Sequence, residues 1–134
     1  MTTFTSYVTA LSGLTVSGVT RKYTSPPQSI NTADLPAQWP LLPSGDAAPM
    51  VFGGYGSPAG TYRCDLVIAT EAVGQNVNSV NFAGVLTLMD ALTTALKTMT
   101  RPVAGAFTWT IRQAIVTVAG NDYWALICSC EGSG

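Results

Sequence analysis

The chain has 134 residues, of which 47% are hydrophobic and only 10% charged; it carries a formal net charge of −1 and no histidine. Without imidazole, whose ordinary pKa lies nearest working pH, most acid/base, hydrolytic and metal chemistry loses its usual agent. With so few Lys and Arg there is also no electrostatic footprint for gripping a phosphate backbone. A globular domain usually carries about 25% charged residues, so a surface this neutral suits a subunit whose outside meets copies or partners, and the length fits one domain, residues 1–134.

The first residues lack the basic and apolar regions of a signal peptide, so no export is expected. Phe4, Tyr7, Val8 and Leu11 follow i, i+3, i+4, i+7 and predict a short helix over 3–12 that Gly13 stops. Val16 to Thr24, rich in β-branched and aromatic residues, predicts a strand. Its Arg21-Lys22 pair reads as a solvated strand end rather than a phosphate contact.

Residues 25–49 contain Pro26, Pro27, Pro36, Pro40, Pro43 and Pro49, each removing an amide donor and fixing φ. They predict a long loop without helix or inner strand. Ile30, Leu35, Trp39, Leu41 and Leu42 make it too apolar to float free, so it should lie pinned on its own sheet or on a neighbouring subunit.

Met50 to Phe52 and Thr61 to Thr70 predict two strands joined by the glycine-rich connection Gly53 to Gly60. That connection has neither the Gly-Lys-Ser/Thr ending nor the following helix of a phosphate-binding loop. In the second strand Tyr62, Cys64, Leu66 and Ile68 share one face, while Arg63, Asp65, Val67 and Ala69 share the other. Residues 78–99 predict a long amphipathic helix with Phe82, Val85, Met89, Leu92, Leu96 and Met99 inward and Asn78 or Ser79 as its cap. Gly84, Ala91 and Ala95 add a strip of small side chains along it.

Phe107 to Val118 predicts a long strand, apolar on both faces from Ala114 onward as in a central strand or a bulge. Gly120-Asn121-Asp122 marks a turn, Tyr123 to Cys130 returns as its partner, and Gly132-Ser133-Gly134 is expected to be a disordered tail. The order predicts an α+β fold: a mainly antiparallel sheet of four to five strands, two helices on one face and a long proline-rich loop.

No constellation favours catalysis. The three cysteines, Cys64, Cys128 and Cys130, form no metal-binding spacing and read as buried thiols. Asp34, Asp46, Asp65, Glu71, Asp90, Asp122 and Glu131 are scattered singly, and neither Lys22 nor Lys97 stands in a nucleophile-activating motif. No enzyme activity, cofactor or metal is expected.

Gly18 to Pro27 (GVTRKYTSPP), Ala33 to Pro40 (ADLPAQWP) and Glu71 to Asn76 (EAVGQN) ahead of the long helix resemble the small tail-terminator or tail-completion proteins of tailed bacteriophages. The resemblance covers most of the chain in element order. It implies a virion subunit, made in the host cytoplasm, that forms a ring, usually hexameric, at the head-proximal end of the tail. The ring would halt tube polymerisation, contact tail-tube and neck proteins, and let DNA pass without binding it specifically; no membrane is involved. Another neck protein, such as a head-completion stopper, is also compatible with it.

Under this expectation Leu35, Trp39 and Leu41 dock on the adjacent subunit, Gly84, Ala91 and Ala95 allow close helix approach, and the Gly53 to Gly60 tip reaches along the tube axis. The competing expectation is a monomeric module that binds a small apolar ligand on an open sheet face through Tyr62, Trp109 and Trp124.

Overall fold

The computed structural model describes residues 3–52, 55–73, 82–103 and 105–133. Helix α1, Phe4–Ser12, begins at a reciprocal cap: the Ser6 amide donates to Thr3 Oγ1 at 3.0 Å and the Thr3 amide to Ser6 Oγ at 2.9 Å. Two of the helix's orphan donors are thereby satisfied, and Gly13 closes the other end. Its apolar stripe buries Tyr7 and Leu11 completely.

The predicted strand over 16–24 shrinks to β1, Arg21–Lys22. Gly18, at φ +95°, and the Val19 amide bonded to Val16 O make a turn there instead, and Val16 drops into the core at 4% exposure.

The proline-rich segment holds more regular structure than its composition predicts: a 3₁₀ turn over Thr32–Asp34 is followed by β2, Ala37–Pro40, and β3, Ser44–Phe52. All four residues of β2 are buried, between β1 and β4. The prolines are tolerated because of where their missing donors would point. Leu41 donates to Asp65 O at 2.8 Å and Gln38 O accepts from Tyr23, so alternate residues of β2 bond to β4 and to β1. Pro40 falls on the β1 side, where β1 has already ended opposite Gln38. Pro49 sits inside the register shift between Asp46 and Met50 of the edge strand β3, a place where a proline costs little.

Strand β4, Tyr55–Ala72, is the longest element at 18 residues and organises the sheet. Helix α2, Phe82–Thr98, precedes the strands β5, Phe107–Val118, and β6, Asn121–Ser133. The fold is α+β. Its sheet has six strands rather than four or five and is mixed: the order is β1-β2-β4-β6-β5, with β3 on the lower half of β4 beside β2. Only β1–β2 is parallel. The cap expected at Asn78 or Ser79 lies outside the described residues.

Both helices pack on one face of this sheet. Tyr7, Leu11, Val85, Leu88, Leu92 and Leu96 meet Tyr62, Cys64, Leu66, Ile68, Leu126, Cys128 and Cys130 in the main core. The alternation of β4 places Val67 and Ala69 on the opposite face, in a second cluster with Ala37, Trp39, Tyr123, Ala125 and Ile127. Tyr23, Ile30 and Leu35 pack onto that cluster, so the proline-rich segment covers its own sheet.

Two further expectations are corrected. β5 is an edge strand with unbroken register; it is apolar on both faces because Phe107, Trp109 and Ile111 serve the main core and Ala114, Val116 and Val118 the second. Gly132 and Ser133 continue β6, since Thr61 and Phe107 still offer partners on either side. Gly132 is buried, and a Cβ there would come within 2.7 Å of Val103 Cγ2.

Candidate functional site

The six residues expected at a subunit contact are not brought together. Leu35 is half-buried under the second cluster, Trp39 is 3% exposed within it, and Leu41, at 36%, emerges at the end of β2. On α2, Ala95 is buried and Ala91 packs on the main core, while Gly84 is exposed beside a cleft shared with Ser17, Gly18 and Thr70. Trp39 and Ala95 are therefore committed to the chain's own interior.

What the structure leaves open instead lies at the two edges of the sheet. On one edge Leu41 is joined by Leu42, 92% exposed, just before β3 begins. On the other, Phe82 (62% exposed), Leu86 (44%) and Ile115 (52%) flank β5. Phe82, Val85, Leu86, Met89, Gln113 and Leu126 line a cleft of 200 Å³ there. The helical periodicity assigned Phe82 to the core, but α2 starts at this residue and its first turn overhangs the sheet margin. Periodicity fixes the side a residue faces and not where the opposing surface ends.

β5 lacks the usual devices that protect an edge. Its 12 residues contain no proline and no bulge, and Arg112 is its only charge. Such an edge is a template for further pairing.

The lower half of the second face is uncovered and polar. Across β4, β6 and β5, Arg63 stands beside Glu131 and Thr108, and Asp65 beside Ser129 and Thr110. Arg63 Nη2 meets Glu131 Oε1 at 3.4 Å with both side chains half-exposed. Including Arg112, this wall carries two charges of each sign among hydroxyl groups.

The basic pair at 21–22 is occupied locally: Arg21 reaches Asp34 at 3.7 Å and lies over the Tyr23 ring, while Lys22 Nζ donates to Gly13 O at the end of α1. Gln38, which no sequence pattern marked, is fully buried and donates from Nε2 to Leu14 O at 2.7 Å, tying the segment after α1 to β2.

All three cysteines are buried and unpaired. Cys64 donates to Leu41 O at 3.3 Å, and burial, helped by the Asp65 charge, pushes its thiol up to about 11. The Cys128 and Cys130 sulfurs lie 3.5 Å apart, and that hydrogen bond, with burial, raises Cys130 strongly. Thiols held protonated in this way are poor nucleophiles and metal ligands. Among the described residues no group of three or more His, Cys, Asp or Glu is placed to hold a metal ion, and no helix is long and apolar enough to cross a membrane.

Tyr62 and Trp109, expected to receive an apolar ligand on an open sheet face, lie on the helix-covered side. Tyr62 is 5% exposed with Phe4 and Tyr7 against it, and Trp109 packs on the main core. Trp124 is half-buried. No protein-family model matches the chain, and neither does any curated protein.

Proposed function

We propose that this chain is a structural virion protein of a tailed bacteriophage, one copy in a closed ring that terminates the tail tube at its head-proximal end and joins it to the neck. The observation that carries the assembly is the exposure of large apolar side chains at both edges of one sheet: Leu41 and Leu42 on one, Phe82, Leu86 and Ile115 on the other. A ring needs two different surfaces on each subunit that meet head to tail and close under rotation. Two unlike apolar edges meet that requirement, whereas a two-fold dimer would use one patch twice.

The open half-face fits the same reading. Thr108, Thr110 and Ser129 among balanced charges form a wetted wall of no net sign, which suits a lumen that passes DNA without retaining it. The assignment to a phage tail rests on the likeness of Gly18 to Pro27, Ala33 to Pro40 and Glu71 to Asn76. A head-completion or stopper position in the same neck would use the same edges. The apolar-ligand alternative loses support because two of its three aromatics are packed under the helices.

Native mass spectrometry and negative-stain imaging of the full chain test this reading, with a closed homo-oligomeric ring, of six copies by the resemblance, as the expected result. Leu42→Ser should weaken the ring by about 1–3 kcal/mol per contact, the worth of one buried leucine, with unchanged circular dichroism. Solitary molecules at every concentration, with no association with tail tubes, would overturn it.

A further inference from the structure

We propose that Leu42 of one copy enters the cleft under the first turn of α2 on the next copy, and that Asp65 of the first pairs with Arg112 of the second. This junction deepens the ring reading and rests on it.

The knob is built before it meets its partner. The Leu41 amide donates to Asp65 O at 2.8 Å and its carbonyl accepts from Cys64 Sγ at 3.3 Å, so the backbone leading into Leu42 is held at both groups. Pro43 restricts Leu42 to extended geometry. The leucine is thus presented at 92% exposure with little backbone freedom left to lose on binding. With Pro40 and Pro43 lacking amide donors, this edge offers a side chain rather than a ladder.

The receiving cleft has a volume of 200 Å³, walled by Phe82, Val85, Leu86 and Met89 of α2 and by Gln113 and Leu126 of the sheet. Phe82 and Leu86 are among the large apolar side chains left exposed, so a leucine entering there removes apolar area from water on both partners. Knob and cleft lie towards opposite edges of one sheet. A copy whose cleft is filled therefore still presents its own Leu42 to a third, the head-to-tail relation that a ring needs.

Charge selects this partner. Asp65 and Arg112 both stand on the sheet face turned from the helices, and neither has an ion pair among the described residues. Asp65 lies beside Leu41, and Arg112 beside Gln113 of the cleft. Leu42 follows the row of Asp65 and stands at the level of Cys64. Gln113 shares a row with Leu126 and Ile68, and Arg112 with Ile127 and Val67. Sliding one copy along the strands by ~3 residues, or ~10 Å, brings Leu42 to the row beside Gln113 and Asp65 to the row beside Arg112. A single offset satisfies both contacts, and strands tilted from the ring axis supply it, as in any closed sheet.

A two-fold junction through β5 fails on the same charge. Because Leu41 bonds to Asp65, odd residues of β4 bond towards β2 and even ones towards β6, which leaves the odd residues of β5 pointing outward. Pairing β5 with its own copy in either register of greatest overlap then sets Arg112 opposite or diagonal to the second Arg112, and the two repel.

The test uses the full chain in sedimentation and native mass spectrometry, with circular dichroism confirming the fold of each variant. Leu42→Glu and Leu86→Glu should each abolish rings, because a carboxylate is costly to bury unpaired in an apolar cleft. Mixed at the highest soluble concentration, these two variants should form a one-to-one dimer and nothing larger, since the first keeps an intact cleft and the second an intact Leu42. Asp65→Arg and Arg112→Asp should each raise the dissociation constant of the ring about ten- to a hundredfold, as like charges are forced together. The double variant D65R/R112D should return to within about threefold of the wild type. A wild-type ring whose two glutamate variants give no mixed dimer, or whose charge reversals are not restored in the double variant, would overturn this junction while leaving the ring reading intact. A wild-type chain that forms no ring would overturn both.

Discussion

On the sheet face turned away from the helices, two halves of the same three strands meet different fates. In the upper half Val67, Ile127, Ala69, Ala125 and Ala114 present an apolar surface, and Tyr23, Ile30 and Leu35 lie over it. In the lower half Arg63, Glu131, Thr108, Asp65, Ser129 and Thr110 present a polar one, and no core cluster forms there. Backbone geometry is continuous from one half to the other, so side-chain chemistry alone decides where the chain folds back on itself. Cover stops where transferring another row from water would no longer be favourable. The boundary row, Val67, Ile127 and Arg112, contains both characters.

The largest effect should come from breaking the covered half. Trp39→Ala removes an indole that is 3% exposed and should cost about 3–5 kcal/mol in urea unfolding, the range for emptying a large aromatic site. A reciprocal swap sharpens the contrast. Val67→Thr, at a site 1% exposed, should cost about 1–3 kcal/mol for a buried hydroxyl, whereas Thr110→Val in the open half should change unfolding by less than about 0.5 kcal/mol.

Behind the open half, on the helix side, Cys64 makes stability fall at alkaline pH. Its thiol rises from an ordinary 9.0 to about 11, so between those values the unfolded chain gives up its proton first. The contribution is complete below pH 9 and lost as pH climbs towards 11. Cys64→Ser should flatten that alkaline decline in unfolding curves recorded from pH 8 to 11, and in wild type all three thiols should react with a thiol reagent only after denaturant is added. The smallest effect belongs to Arg63→Ala, whose half-exposed pair with Glu131 should contribute no more than about 0.5 kcal/mol. A loss above 2 kcal/mol would mean the open wall is structurally tighter than its exposure implies.

Much of this division is legible along the chain because strands alternate and helices repeat. Tyr62, Cys64, Leu66 and Ile68 separate from Arg63, Asp65, Val67 and Ala69 by parity alone, and the bounds of β5 at Phe107 and Val118 follow from its flanking turns. The strands at Ala37–Pro40 and Ser44–Phe52 were hidden by their prolines, since a missing donor matters only if a neighbour stands where it would point. Phe82 and Ile115 misled for a related reason: each has the right spacing for burial, yet each lies past the margin of the surface it would pack on.

Of the candidate contact, the sequence located Leu41 and the scarcity of charge, while Leu42, Phe82, Leu86 and Ile115 emerged only once the sheet edges were defined. By itself, then, the sequence determined the α+β class, the faces that Tyr62 to Ala69 take along β4 and the burial of the three cysteines, because these follow from local period and polarity. Tertiary structure decided the sixth strand, the parallel β1–β2 pair, the cover drawn over Trp39 and which apolar residues are left outside. Those depend on which strands become neighbours and where the sheet ends, and no local pattern encodes a boundary set by distant segments.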